Sequence, residues 1–403
     1  MTVPATISFR DAVEAIRDDL VRLRRDVHAD PEIGMQLPRT QQKILAALEG
    51  LPLEITLGRA LSSVVAVLRG GLPGPTVLLR GDMDALPVQE SNNLDYISKV
   101  PGTMHACGHD LHVAGLVGAA RLLCQVRDEL PGNVVFMFQP GEESPGGAAP
   151  MIAEGLLDAA GSRVDAAYTI HVSSGDDEKG MFTTRRGSFM AAADTLKILV
   201  RGEGGHGSTP HRAKDPIPAA CEMVGALETF VTRNIDIWDP VVLTVGQFHS
   251  GTADNIIPPS AMFEATIRSF SPESRAIISA GVVRMVQGIA DAHGLDIDIN
   301  YEWGYPVTVN DDAEAEFAAA AVREVFGEER FSWMTNPIPG SEDFSFVLEQ
   351  VPGAYLNLGA CPPDLDPATA PMNHSPLARF DDEVVPDAAV LLAELARRRM
   401  LRG

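Results

Sequence analysis

Positive charge is in short supply in this 403-residue sequence. Its 32 lysines and arginines stand against 55 aspartates and glutamates, for a formal net charge of −23. That deficit argues against nucleic acid and anionic membrane as partners, because both are gripped through basic clusters. The acidic residues are spread along the chain and read as a solubilising surface. Cysteine is scarce too: Cys107, Cys124, Cys221 and Cys361 are too scattered to outline a disulfide framework. No apolar run reaches the ~20 residues that a membrane span needs. The first residues, Met1-Thr-Val-Pro-Ala-Thr-Ile, lack the basic-then-apolar order of a secretory signal. A reducing, cytoplasmic location is the expectation. There is no internal repeat and no low-complexity tract. What remains is an ordinary globular composition, 45% hydrophobic and 22% charged, long enough for roughly two to three domains.

The chain is organised around Met104-His-Ala-Cys107-Gly-His109-Asp110-Leu-His112. A single glycine separates Cys107 from His109, so a thiolate and an imidazole can turn to one point. These are the ligand types that zinc and its first-row neighbours prefer. The apolar segment that follows reads as a helix from Asp110 to Val126. Asp110 is expected to cap it, with Cys107 just ahead of its positive end, where a thiolate is favoured.

Elsewhere the pattern alternates. Helices are expected over Phe9–Val27 and Thr40–Leu48. Strands are expected over Ser62–Leu68, Thr76–Arg80, Asn133–Phe138 and Ala166–Ile170, and Gly-Gly-Leu-Pro-Gly after Leu68 signals a hairpin or loop. Such alternation suggests an α/β fold, a central sheet flanked by helices. Functional residues of these sheets gather just past strand ends, and Asp82, Asp84, Glu142, Glu143 and His171 fall there. From about residue 191 to 304 the order becomes strand-helix-strand-strand-helix-strand, the ferredoxin-like α+β unit. It reads as a domain inserted into a discontinuous one formed by residues 1–190 and 305–403. A helix over Asp312–Phe326, a strand over Ala354–Leu358, the polar turn Asn373-His374-Ser375 and a helix over Val384–Leu401 complete the first domain.

Glu142 and Glu143 follow a buried strand. On extended backbone they would point to opposite sides, one towards a metal and the other towards water, although a Glu-Glu pair is also a common surface feature. Asp84 can orient a ligand or simply cap a turn. His171 and His374 can be ligands or, respectively, a core and a turn residue. Taken together, Cys107, His109, Glu143, His171 and His374 make a donor set of the right number and softness for a pair of divalent cations.

With these motifs in order, the chain resembles the aminoacylase/carboxypeptidase superfamily of dinuclear metallohydrolases. Within it, the chain is similar to the amidohydrolase branch of hippurate hydrolases and plant auxin-conjugate hydrolases. The resemblance also rests on Arg24-Arg-Asp-Val-His28 with Pro31-Glu32, Arg80-Gly-Asp82-Met-Asp84-Ala-Leu-Pro87, Gln139-Pro-Gly-Glu-Glu143, Gly205-His206-Gly-Ser-Thr-Pro-His211 and Gly340-Ser-Glu-Asp-Phe-Ser. It implies that Cys107 is a metal ligand where other branches carry a bridging Asp, alongside His109, Glu143, His171 and His374. Glu142 becomes the general base and Asp84 its supporting acid. His206, on the inserted lid and dimerisation domain, reaches a partner subunit's site, and Asn255 and Arg268 bind the substrate carboxylate. The implied enzyme is a metal-dependent amidohydrolase of N-acyl amino acids, a homodimer or larger, using zinc, manganese, cobalt or nickel. A dipeptidase, a carbamoyl-amino-acid hydrolase and an N-acetyl-diaminopimelate-type deacetylase share that site. A binding protein that captures small carboxylates without turnover is the rival from another class. Two positions depart from the family pattern: Leu37, where Glu is frequent, and Val172-Ser173, where Trp-Pro is frequent.

Overall fold

Four adjacent parallel strands form the centre of the first unit in the computed structural model, which describes residues 7–402. The first residues of the chain, read above for a secretory signal, lie outside the described ones. The unit comprises the described residues up to Gly187, Val309–Thr335, and those from Phe346 onward. Its parallel strands lie in the order Pro131–Gln139, Leu72–Asp82, Ala166–Ser173 and Gly353–Gly359. Val64–Arg69 pairs antiparallel outside Pro131–Gln139, and Leu53–Leu57 closes that edge. On the other side Phe182–Thr184 runs antiparallel to Gly353–Gly359 and carries Phe331–Trp333 at the rim. This is the mixed α/β sheet that the alternating pattern implied. Val77, Leu78 and Leu79, and Val134 through Phe138, are fully buried, as expected of strands covered on both faces.

The helix His109–Gln125 is apolar all round and buried from His109 to Leu123 apart from Arg121, which marks an interior helix. It packs against Val385–Arg402 and Arg17–His28. The approach is close at Gly118, where a Cβ would stand 2.6 Å from the Ala389 Cβ and 2.8 Å from Leu20 Cδ1.

Several expectations need correction. Phe9–Val27 is two helices, Phe9–Glu14 and Arg17–His28, and no Gly or Pro marks the break. Gly70 and Gly71 do not turn a hairpin, since Pro131–Gln139 lies between the two strands that they join. Asp110 does not cap its helix. Gly108, in the left-handed region at φ 80°, holds the N-cap position, and Asp110 lies inside the first turn.

The second unit comprises Ser188–Thr308 and Asn336–Ser345. Its antiparallel sheet has the order Val241–Ser250, Ser260–Ser269, Ala192–Arg201, Asp296–Glu302. The helices Pro216–Asn234 and Pro272–His293 pack on it. This is the ferredoxin-like arrangement expected from the element order. Burial alternates residue by residue along Ala192–Arg201, so one face meets the helices. Asp215 accepts the Ile217 N–H at 3.0 Å and Ser271 accepts the Ser274 N–H at 2.9 Å, which caps both helices.

Candidate metal centre and active site

The site lies where the parallel strands of the first unit end. Asp82 closes Leu72–Asp82 and Asp84 follows it. Glu142 and Glu143 follow Pro131–Gln139, and His171 projects from Ala166–Ser173 itself. Cys107 and His109 stand at the start of the buried helix.

His171 Nδ1 donates to the Val172 carbonyl at 2.8 Å, and its Nε2 lies 3.3 Å from Cys107 Sγ. That contact assigns the proton to Nδ1 and leaves the Nε2 lone pair facing the thiol. Burial pushes the His171 pKa well down, and the neighbouring His112 adds to the effect, so the ring is neutral and ready to act as a ligand. His374 arrives on a loop with φ 71°, donates its backbone N–H to the Ala106 carbonyl at 2.8 Å, and places Nε2 3.1 Å from Glu143 Oε1. Asn373 braces the loop, with Nδ2 donating to the Val172 carbonyl at 3.0 Å and to the Cys107 carbonyl at 3.3 Å.

His109 is fully buried, and neither ring nitrogen has a hydrogen-bond partner. The nearest carboxylate oxygens are Asp84 Oδ1, 3.5 Å from Nδ1, and Asp82 Oδ2, 3.5 Å from Nε2. A buried imidazole left unpaired among acceptors is expensive and fits a cation in the space between. The electrostatics agree. Burial opposes protonation of His109, yet Asp82, Asp84 and Cys107 hold its pKa well above the usual value. Hydrogen bonding to Cys107 and Glu143 raises that of His374 to about 10. Burial would raise the Glu143 carboxyl, but His374, His109 and Cys107 hold it down. The pocket holds a surplus of acceptors that positive charge would satisfy.

The donor atoms form overlapping trios: Cys107, His109 and His171; Cys107, Glu143 and His374; His109, Glu142 and Glu143. Within each trio all donor atoms lie within 4.8 Å of one another. All five expected ligands therefore converge, with Cys107 common to two trios. These N, O and S donors suit zinc and its first-row neighbours.

Glu142 and Glu143 differ from expectation in one respect. They sit in a turn rather than on extended backbone. Asp84 sets that turn: its Oδ1 accepts the Glu142 N–H at 3.0 Å and its Oδ2 the Glu143 N–H at 3.1 Å. Asp84 thus reaches the glutamates through their backbone.

His112 was given no role in the sequence reading, and Asp82 only a place among the functional residues past the strand ends. Val172 N–H donates to His112 Nε2 at 2.9 Å, and His112 Nδ1 donates to Asp82 Oδ1 at 2.5 Å. Arg80 Nη1 donates to the other Asp82 oxygen at 2.6 Å. His112 has both nitrogens engaged and braces the His171 strand against its neighbour. The three-residue spacing from His109, which puts both on one helix face, was the available signal.

His206, Asn255 and Arg268 belong to the second unit. His206 is exposed and pairs with Ile256, and the Gly207 N–H donates to the Asn255 carbonyl at 2.8 Å, so His206 and Asn255 are neighbours. They border a cleft of about 510 Å³ lined by Gly207, Ser250, Thr252 and Asp254 among others. Arg268 sits near the far end of Ser260–Ser269, on the order of 25 Å along the strand from Ser260. The second unit does not bring it to Asn255.

The chain is a hydrolase of amide bonds, and its particular family is shown by comparison with known proteins. Residues 78–398 match the model of peptidase family M20/M25/M40, and the chain belongs to that family. Thermostable carboxypeptidase 2 of Saccharolobus solfataricus is 39% identical, over 87% of this chain and 88% of its own. Hippurate hydrolase of Campylobacter jejuni is 36% identical, over 85% and 88%. The crystal structure of a dinuclear metal-binding peptidase of the M20 family from Bacillus subtilis is similar with a TM-score of 0.82 at 32% identity, covering 96% of this chain and 99% of that one. The resemblance read from the motifs is borne out. Among the described residues no helix is long and apolar enough to cross a membrane.

Proposed function

We propose that the protein hydrolyses the amide bond of N-acyl amino acids, releasing a carboxylic acid and the free amino acid. The observation that carries this reading is the pair of donor trios sharing Cys107, with Glu142 beside them. Cys107, His109, Glu143, His171 and His374 would hold a pair of divalent cations, as in the Bacillus subtilis relative; zinc, manganese, cobalt and nickel all suit these donors. When bound, such cations supply Lewis acidity for water and for the amide carbonyl.

The remaining work falls to the chain. Glu142, only 7% exposed, takes a proton from the attacking water on its carboxylate and delivers it to the leaving amine nitrogen. Asp84 holds the turn that aims Glu142. His171, neutral and fixed by its Nδ1 bond, cannot compete for that proton. From the second unit, His206 would meet the developing oxyanion and Asn255 the substrate carboxylate, with that unit pairing two subunits. Arg268, remote from Asn255 within one unit, would serve a carboxylate only from another direction. A thiolate among the ligands needs a reducing compartment, in line with a cytoplasmic location.

The relatives narrow the substrate. One is named a carboxypeptidase and another a hippurate hydrolase. Hippurate is an acylated glycine, and a carboxypeptidase also cuts the amide next to a terminal carboxylate. The common element is acyl-NH-CHR-COO⁻. A C-terminal peptide bond is the second reading, favoured by the carboxypeptidase relative. A panel of N-acetyl, N-benzoyl, carbamoyl and dipeptide substrates, run on metal-stripped protein refilled with each cation, decides between them. Glu142→Gln should lower kcat by about 10²-fold or more with metal content unchanged. Full activity in that variant defeats the proposal, and tight substrate binding without turnover or metal favours a mere binding protein.

A further inference from the structure

The motif Arg24-Arg25-Asp26-Val27-His28 takes no part in the chemistry above, yet Arg24 and His28 are each only 1% exposed. Four residues apart, they share a face of Arg17–His28. Arg24 Nε lies 2.8 Å from Asp110 Oδ2, and His28 Nδ1 donates to the same oxygen at 2.8 Å. The other nitrogen of His28, Nε2, is 3.2 Å from Glu90 Oε1, and Glu90 Oε2 accepts the Ser98 N–H at 2.7 Å. Arg24 Nη1 reaches Asp382 Oδ1 at 3.1 Å, with its guanidinium 4.7 Å from the Tyr96 ring centroid. Burial opposes the charge on His28, but Asp110 and Glu90 on either side raise its pKa. Arg24 and His28 thus face the carboxylates of Asp110, Glu90 and Asp382 in the interior.

Asp110 is the second residue of His109–Gln125. Its N-cap is Gly108, which makes no side-chain capping bond. The turn Cys107-Gly108-His109 therefore lacks the local tie that a Ser or Asp cap gives. It is tied from outside instead: by Asp110 to Arg24 and His28 on one side, and by Asn373 Nδ2 to the Cys107 carbonyl on the other.

We infer that Arg24 and His28 are positioning residues, which act through Asp110 to fix the turn presenting Cys107 and His109 and so set the protein's affinity for its cations. This rests on the metal reading proposed above. Outer residues that orient a metal ligand typically change metal affinity about 10- to 100-fold.

The test uses the full chain stripped of metal, titrated with Zn²⁺ or Mn²⁺ alone against a competing chelator, with circular dichroism to follow folding. Arg24→Gln and His28→Gln should each weaken cation binding about 10-fold or more, while Arg24→Lys, which keeps the charge opposite Asp110, recovers part of the loss. If Arg24→Gln does not fold, His28→Gln and Arg24→Lys carry the test. Arg275→Gln is the control. It breaks a comparable pair with Asp194, at 2.6 and 3.0 Å in the second unit, and should lower the melting temperature with cation affinity unchanged. Folded Arg24 and His28 variants that bind as tightly as wild type, or an equal loss of affinity in the Arg275 control, overturn the inference alone. A wild-type chain that binds neither cation overturns the functional proposal itself.

Discussion

Replacing Asp84 by asparagine separates two ways in which a carboxylate can serve this site. In the structure both Asp84 oxygens accept backbone N–H groups, those of Glu142 and Glu143 at 3.0 and 3.1 Å, and Oδ1 also lies 3.5 Å from His109 Nδ1. An amide keeps one oxygen and turns its NH₂ towards the second N–H, so one buried donor loses its acceptor. Hydrogen bonds to charged groups contribute about 1.5–3 kcal/mol, so Asp84→Asn should destabilise by about 2–3 kcal/mol. For a unit of this size that is about 5–10 °C in melting temperature. The turn carries Glu142, and a misplacement of about 1 Å at a reacting group can reduce turnover about 100-fold. The assay pairs calorimetry with kcat and metal content for Asp84→Asn and Asp84→Ala. Stability and turnover should fall together, and further in the alanine variant. A large loss of kcat with melting temperature and metal content unchanged would refute the reasoning, because Asp84 would then act on the chemistry and not through the turn.

Two further outcomes follow from the packing. Burial lowers the His105 pKa to about 3, and neither of its ring nitrogens has a hydrogen-bond partner. Its folded value lies below its unfolded one, so its contribution is full above about pH 6.5 and is lost as pH falls towards 3, up to about 5 kcal/mol. In metal-stripped protein, His105→Phe should flatten the decline in stability over that window; an unchanged slope counts against it. Gly118→Ala gains up to about 1 kcal/mol of helix propensity but forces a Cβ to 2.6 Å from Ala389, where overpacking costs about 1–3 kcal/mol. It should lower the melting temperature. Gly288→Ala, in a helix with nothing within 4 Å of the added Cβ, should raise it, and the reverse order would show that the helix contact is not tight.

Long elements were legible in the sequence because their periodicity is local. Asp312–Phe326 carries its own cap and apolar face, and the helices of the second unit announce themselves through Asp215-Pro216 and Ser271-Pro272. Glu143 and His171 were legible because each follows or ends an apolar strand, and Cys107 and His109 because they stand just ahead of an apolar helix; His374, in a polar turn, had no such signal. What was missed depends on distant partners. Phe182–Thr184 and Phe331–Trp333 are three-residue strands that exist only because Gly353–Gly359 and each other offer hydrogen bonds. Asp110 read as a cap because an acidic residue at a helix start usually is one, and nothing nearby reveals Arg24 and His28 waiting across the interior. His112 read as one more apolar-helix residue, since its partners, Asp82 and Val172, come from different strands.

Gly353–Gly359 lies between Ala166–Ser173 and Phe182–Thr184, which the ribosome has made long before it. A sheet formed without that segment would leave a slot with two unsatisfied strand edges, the kind of surface that chaperones shield and that aggregates recruit. His374 emerges later still. The donor set of Cys107, His109, Glu143, His171 and His374 is therefore complete only after that segment has been made.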